Sequence, residues 1–200
     1  MIKRIFHPIG QGAFYSEQHD NINIVYDCGN WKNTKQSDEV IKQSFNTNDI
    51  IDLLCISHFD YDHISKIPVL KDQVKEIKRV LLPLLHEEEK ILLSNIYWAL
   101  DKNLLPLIND PQHYFGNDTI IIHVKPKPIQ NNENTINDNI EPQSIDDIEK
   151  NESGTALIES GTPLTIKQLN DWVFIPYNYE YEKRNITLIK ELKKNLISTN

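Results

Sequence analysis

Four side chains of metal-ligating type crowd into six positions of the stretch CISHFDYDHISKIP (55–68). His58, Asp60, Asp62 and His63 form an H-x-D-x-D-H pattern directly behind an apolar run. Imidazoles and carboxylates bind divalent ions at about 2.0–2.2 Å, and a mixed nitrogen and oxygen set suits zinc, manganese or iron. Four donors in so short a stretch serve two ions about 3.5–4 Å apart better than one. The plainer reading is a solvated acidic turn after a strand. Residue types, spacing and upstream context together favour the metal centre.

Such a loop needs elements to hold it. Ile2 to Phe6 reads as a strand, followed by a glycine turn at Gly10 and Gly12. NINIVYDCGN reads as a second strand that stops at Asp27-Cys28-Gly29. Residues 34–47 carry Val40, Ile41 and Phe45 at helical spacing. DIIDLLCISH is continuously apolar up to the histidine, as expected of a strand covered on both faces in a layered α/β domain. ISKIPVLKDQVK begins a helix bounded by Pro68, and IKRVLLPLL is a further strand. HEEEKILLSNIYWALDKNL is an amphipathic helix with Ile91, Leu92, Ile96, Trp98, Ala99 and Leu100 on its buried side. NDTIIIHVKPKP is a strand ending at prolines. Residues 127–153 are so polar that a flexible insertion is expected there. TALIESGTPLTI and DWVFIPYNY read as strands that complete the same domain, and NITLIKELKKNL as a last helix. One α/β domain over residues 1–200 is the expected organisation.

The 200 residues carry a net charge of −8 with a sequence pI near 5.3. That balance argues against broad nucleic-acid binding, which relies on basic patches to release counterions. A local metal centre offsets it, so nucleic-acid chemistry stays open. Cys28 and Cys55 sit in apolar surroundings and read as buried thiols, not a disulfide framework. MIKRIFHPIGQGAF lacks the apolar stretch of a signal peptide, and no run is long enough to span a membrane. A cytoplasmic protein with no membrane partner is expected. Gly10 and Gly12 read as turn glycines, because neither a P-loop nor a G-x-G-x-x-G pattern follows. The aromatics of DWVFIPYNYEY offer faces for base stacking, but strand packing accounts for Trp172, Phe174 and Tyr177 more simply.

SHFDYDH resembles the signature loop of the metallo-β-lactamase fold superfamily, H-x-H-x-D-H. It is closest to the variant with aspartate in place of the middle histidine, and is similar to the hydrolase domain of DNA-uptake channel proteins. GQGAFYSE and NIVYDCG look like that family's opening strands, with their glycine turn and D-x-G end. The resemblance implies an αβ/βα sandwich, incomplete in its C-terminal half, and two divalent metal ions, zinc first. His58 and Asp60 would take the first-metal positions, Asp62 and His63 the second, with Asp27 supporting the site. A metal-bound hydroxide would attack a phosphodiester in nucleic acid or a nucleotide, with Asp62 as the catalytic residue that holds or deprotonates the water.

The family's downstream acid, its late histidine and the TGD-like stretch have no match in this chain. His86, His113 and His123 are the downstream histidines, and His113, in NDPQHYFG, leads as a third ligand by loop position. Two other readings accompany the first. One is an inactive or truncated domain that works as a partner-binding module, a partner chain completing the site. The other is a hydrolase of a lactone, thioester or β-lactam as a small-molecule substrate.

Overall fold

The computed structural model describes residues 2–32, 34–128, 141–151 and 154–180, so the helix expected over NITLIKELKKNL lies outside the described residues. Seven strands form the main sheet: β1 (Ile2–Phe6), β2 (Phe14–His19), β3 (Ile22–Cys28), β4 (Leu53–Cys55), β5 (Arg79–Pro83), β6 (Ile120–Val124) and β7 (Thr155–Ile158). They lie side by side in chain order. β1 to β3 form an antiparallel meander, whereas β3 to β7 all run parallel. The protein is a mixed α/β fold built on a mostly parallel central sheet.

Parallel neighbours need crossover connections. Here α1 (Lys35–Ser44) joins β3 to β4, while α2 (Tyr61–Ile64) and α3 (Ile67–Gln73) join β4 to β5. α4 (Glu87–Leu100), α5 (Leu105–Asn109) and α6 (Pro111–Phe115) join β5 to β6. A strand order that advances one way through right-handed crossovers stacks its helices on one face. Val25, Leu54, Val80, Leu82 and Ile121 turn to that face and meet Ile41, Ile64, Ile67, Leu70 and Tyr97. Ile24, Leu53, Cys55, Leu81, Ile122 and Val124 turn to the other, where Ile145, Leu164, Ile166 and Trp172 cover them. This second cover is a small sheet of Gln143–Ser144, Leu164–Ile166 and Leu169–Phe174. Double coverage accounts for the continuous apolarity of the central strands. Cys28 and Cys55 are free and buried, and burial pushes both thiols well above their usual range. No helix among the described residues is long and apolar enough to cross a membrane.

Three expected elements take a different form, and α5 and α6 were not expected as helices. DIIDLLCISH is two strands, because Ile50–Ile51 pairs with Glu76–Ile77 in a separate ladder. Asp52 makes the break: its buried carboxylate accepts from Asn23 N–H at 3.0 Å and from Lys78 Nζ at 2.7 Å. A charge survives inside an apolar run only when paired in this way.

α4 is rotated relative to expectation. Tyr97 is buried and Leu93 packs on the core, while Ile91, Ile96, Trp98, Ala99 and Leu100 are exposed and Leu92 is half-buried. Apolar residues ring most of this helix, so spacing does not define one face. The Tyr97 hydroxyl, donating to Phe59 O at 2.7 Å, selects the rotation.

Of the polar stretch, residues 129–140 and 152–153 lie outside the described residues. Its described part sends Ile145 and Ile148 into the core against the small sheet. Arg79 clasps it, donating from Nε to Ile145 O at 3.1 Å and pairing with Asp146 at 3.0 Å. Average composition hid these two anchoring side chains.

His7 lies between Ser44 Oγ at 2.9 Å and Ser16 Oγ at 2.8 Å, and His123 sits within β6. Burial lowers both from the usual 6.5 to about 4, with Lys90 adding to the effect on His123. Below pH 6.5 the unfolded chain binds two protons that the folded chain refuses until about pH 4. Their stabilising contribution is therefore present above that window and lost as pH falls through it. Urea midpoints measured from pH 7 down to 4 should decline accordingly, and His7→Gln should flatten that slope.

Candidate metal centre

The carboxyl ends of β3 to β7 share one edge of the sheet, where ligand sites of open parallel sheets form. Asp27 stands near the end of β3, Ser57 and His58 follow β4, Asp60 is the N-cap of α2, and Asp62 and His63 lie in its first turn and last turn. The four sequence-predicted ligands thus come from one tight loop-to-helix turn. α2 is a single turn, so its position depends on what surrounds it.

Asp27 is the hub of that surround. Its Oδ1 accepts from Ser57 N–H at 2.8 Å, and its Oδ2 accepts from Ser57 Oγ at 2.6 Å and His63 Nδ1 at 2.9 Å. The Ser57 hydroxyl, having given its proton to Asp27, accepts from His58 Nδ1 at 2.8 Å. Both imidazoles therefore donate from Nδ1, so the neutral form of each carries its lone pair on Nε2. A histidine oriented by a carboxylate through its other nitrogen is the usual support of a metal ligand. The two rings lie 3.9 Å apart between centroids at 48°. Asp27 occupies a left-handed backbone conformation, φ 52°. That costs a non-glycine residue about 1–2 kcal/mol, less than three charge-assisted hydrogen bonds at about 1.5–3 kcal/mol each return.

The α2 backbone is held equally closely. Ala13 N–H donates to Asp62 O at 3.0 Å, Gly29 N–H to Ala13 O at 2.9 Å and Lys66 N–H to Cys28 O at 2.9 Å. Ser65 Oγ accepts from Asn30 N–H and donates to Asn30 O, both at 2.9 Å. A Cβ on Gly29 would stand 2.5 Å from Asp62 O and from the His63 carbonyl carbon, and one on Gly12 2.7 Å from Asp62 O. Both glycines are there because the helix backbone passes over them. Just beyond α2, fully buried Lys66 pairs with Asp38 at the start of α1.

The carboxylates are less confined. Asp60 is exposed, and its Oδ2 lies 3.4 Å from His58 Nε2. Asp62 is half-buried. Burial first, then the nearby Asp60, Tyr61, Asp62 and Asp101 groups, hold the Tyr97 hydroxyl protonated well above its usual range. Among the described residues, no three or more His, Cys, Asp or Glu side chains close into a ready coordination shell. The donors nonetheless fit a divalent ion in type: two imidazoles with Nε2 presented, two carboxylates beside them, and a buried carboxylate behind.

The downstream histidines separate by edge. α6, which carries exposed His113, leads into the N-terminal end of β6, so His113 lies at the sheet edge opposite the metal loop. Loop position had made it the leading third ligand; the crossover direction removes it. His123 lies on the helix-covered side of β6, and its Nδ1 has no hydrogen-bond partner among the described residues. His86, the N-cap of α4, lines the same cleft of about 430 Å³ as His58 and Asp60, together with Glu89, Tyr177 and Tyr179. Sequence reasoning passed over Ser57, whose only signal is its place directly before His58. It read Gly29 merely as the end of a D-x-G turn.

No protein-family model matches the chain, and no curated protein matches it.

Asp27→Asn preserves shape and tolerates the left-handed backbone, but exchanges an acceptor for a donor facing His63 or Ser57. The variant should stay folded by circular dichroism and bind added Zn²⁺ about 10–100-fold more weakly by calorimetry. Gly29→Ala forces the α2 backbone away and should cost about 1–3 kcal/mol or more in urea denaturation.

Proposed function

We propose that the chain is a metal-dependent hydrolase of the metallo-β-lactamase type, acting on a phosphodiester. The observation that carries this reading is the Asp27 network, which engages His58 and His63 together through Nδ1 and leaves their Nε2 atoms outside it. Nothing in ordinary loop stability calls for two histidines tied through one buried carboxylate and one serine. The layering of helices, large sheet and small sheet supports the αβ/βα sandwich as the finer description of the fold.

In this reading His58 and Asp60 would hold one divalent ion, and Asp62 and His63 the second. When bound, the ions supply Lewis acidity and bring water ionisation toward neutral pH. The chain's own groups do the rest. Asp27 and Ser57 hold both imidazoles in orientation through their Nδ1 atoms. Asp62, on a helix turn clamped by Gly12 and Gly29, orients the attacking water and takes up its proton at a carboxylate oxygen. Tyr97 anchors the loop by its hydrogen bond to Phe59 O, so that the ligands on either side keep their spacing.

Reconstitution with Zn²⁺ or Mn²⁺ should give two ions per chain by elemental analysis and turnover of bis(p-nitrophenyl) phosphate. Asp62→Asn should lower kcat about 10²–10⁴-fold with the fold retained. Failure of the folded chain to bind any ion at stoichiometric level would sink the hydrolase. In that event the partner-binding reading takes over, favoured by the exposed Ile91, Trp98 and Leu100 of α4. Lactone, thioester and β-lactam substrates assayed in parallel separate phosphodiester chemistry from the related hydrolyses.

A further inference from the structure

The segment after the small sheet lies across the carboxyl edge and brings two aromatic rings to the metal-loop cleft. Tyr177 and Tyr179 both line it, as do His58 and Asp60. Their rings are stacked, with planes 6° apart and centroids separated by 5.5 Å. They remain 44% and 50% exposed, whereas Trp172 nearby is 8% exposed. Packing accounts for Trp172; it leaves these two large faces in water.

The pair is held rigidly. Asn178, between the two rings, points the other way and donates from Nδ2 to Val124 O at 2.9 Å. Its N–H donates to Ser160 Oγ at 2.8 Å, and its carbonyl accepts from Lys127 N–H at 2.7 Å. Gly161, at φ +88°, donates its N–H to Pro176 O at 2.7 Å, and a Cβ there would stand 3.2 Å from Tyr177 Cε1. Residues at and just beyond the carboxyl ends of β6 and β7 thus fix the tyrosine segment before any ligand arrives.

We propose that Tyr177 and Tyr179 form a nucleobase-stacking platform, so that the cleft takes a single-stranded nucleotide phosphodiester with its base on the tyrosines and its phosphate toward His58 and Asp60. The inference rests on the phosphodiester reading above and specifies its substrate. The open face of a preorganised, offset-stacked pair suits any base and costs little ordering on binding. A chain of net charge −8 gains little from phosphate neutralisation, so stacking supplies the affinity that basic patches supply elsewhere. Duplex DNA, whose bases are already stacked, gains nothing from such a surface.

The test compares a labelled oligothymidylate with an abasic oligomer of the same length, which has the same diesters and no bases. Fluorescence anisotropy should show the wild-type chain favouring the base-bearing strand by about 5–100-fold. The Tyr177→Ala/Tyr179→Ala variant should bring the two affinities to near parity, and Tyr177→Phe should keep the preference. Equal wild-type affinity for both strands, or a preference unchanged in the double alanine variant, overturns the platform. The wild-type comparison needs no variant to fold. Cleavage of both strands at equal efficiency overturns the platform and leaves the hydrolase standing. A base preference in binding without cleavage by metal-loaded protein supports the platform and overturns the hydrolase.

Discussion

One buried carboxylate organises the carboxyl edge of the sheet in this protein. Asp27 is the next-to-last residue of β3, yet it determines how a loop thirty residues away is arranged, through Ser57 N–H, Ser57 Oγ and His63 Nδ1. An ionised group in such a place is tolerable only when its lone pairs are filled. The donors that fill them are the backbone and side chains flanking the H-x-D-x-D-H stretch. Charge burial thereby becomes loop geometry: to satisfy Asp27, the loop must place His58 and His63 side by side.

That constraint works because the backbone can come close enough. α2 is too short to hold itself, and its Asp62 and His63 carbonyl region rests on Gly29 and Gly12 with no room for a Cβ. The meander of β1 to β3 supplies this seat, and the parallel strands supply the edge on which it stands. The helix layer enters through Tyr97, whose hydroxyl ties α4 to Phe59, and through Lys66, whose ammonium ties the exit of α2 to Asp38. Stability and site geometry are carried by the same few polar contacts, each set inside apolar surroundings that raise the cost of losing it.

Across the cleft, the tyrosine segment follows the same logic with neutral groups. Asn178 fastens the chain to β6 through main-chain acceptors, and alternation of an extended backbone turns Tyr177 and Tyr179 outward together. The two walls differ in chemistry. One set of lining residues presents imidazole and carboxylate, the other aromatic rings, which matches the proposed nucleotide's charged and planar parts.

The order and type of most strands and helices were legible from hydrophobic periodicity, glycine turns and Pro68, since local pattern and local structure agree there. The metal-type cluster was legible too, because its four donors are near neighbours in sequence. What periodicity missed shares one cause: contacts between distant residues. The split at Asp52 reflects Asn23 and Lys78, the rotation of α4 reflects Phe59, and the anchoring of Ile145 reflects the second face of the sheet. His113 looked suitable as a ligand until crossover direction put it at the wrong edge. The sequence by itself determined which donors stand together and on what kind of strand end. Only the tertiary structure decided that Ser57 and Asp27 orient them, that Gly29 exists for α2 and that Tyr177 and Tyr179 line the same cleft, because each depends on a pairing between chain segments that local pattern does not encode.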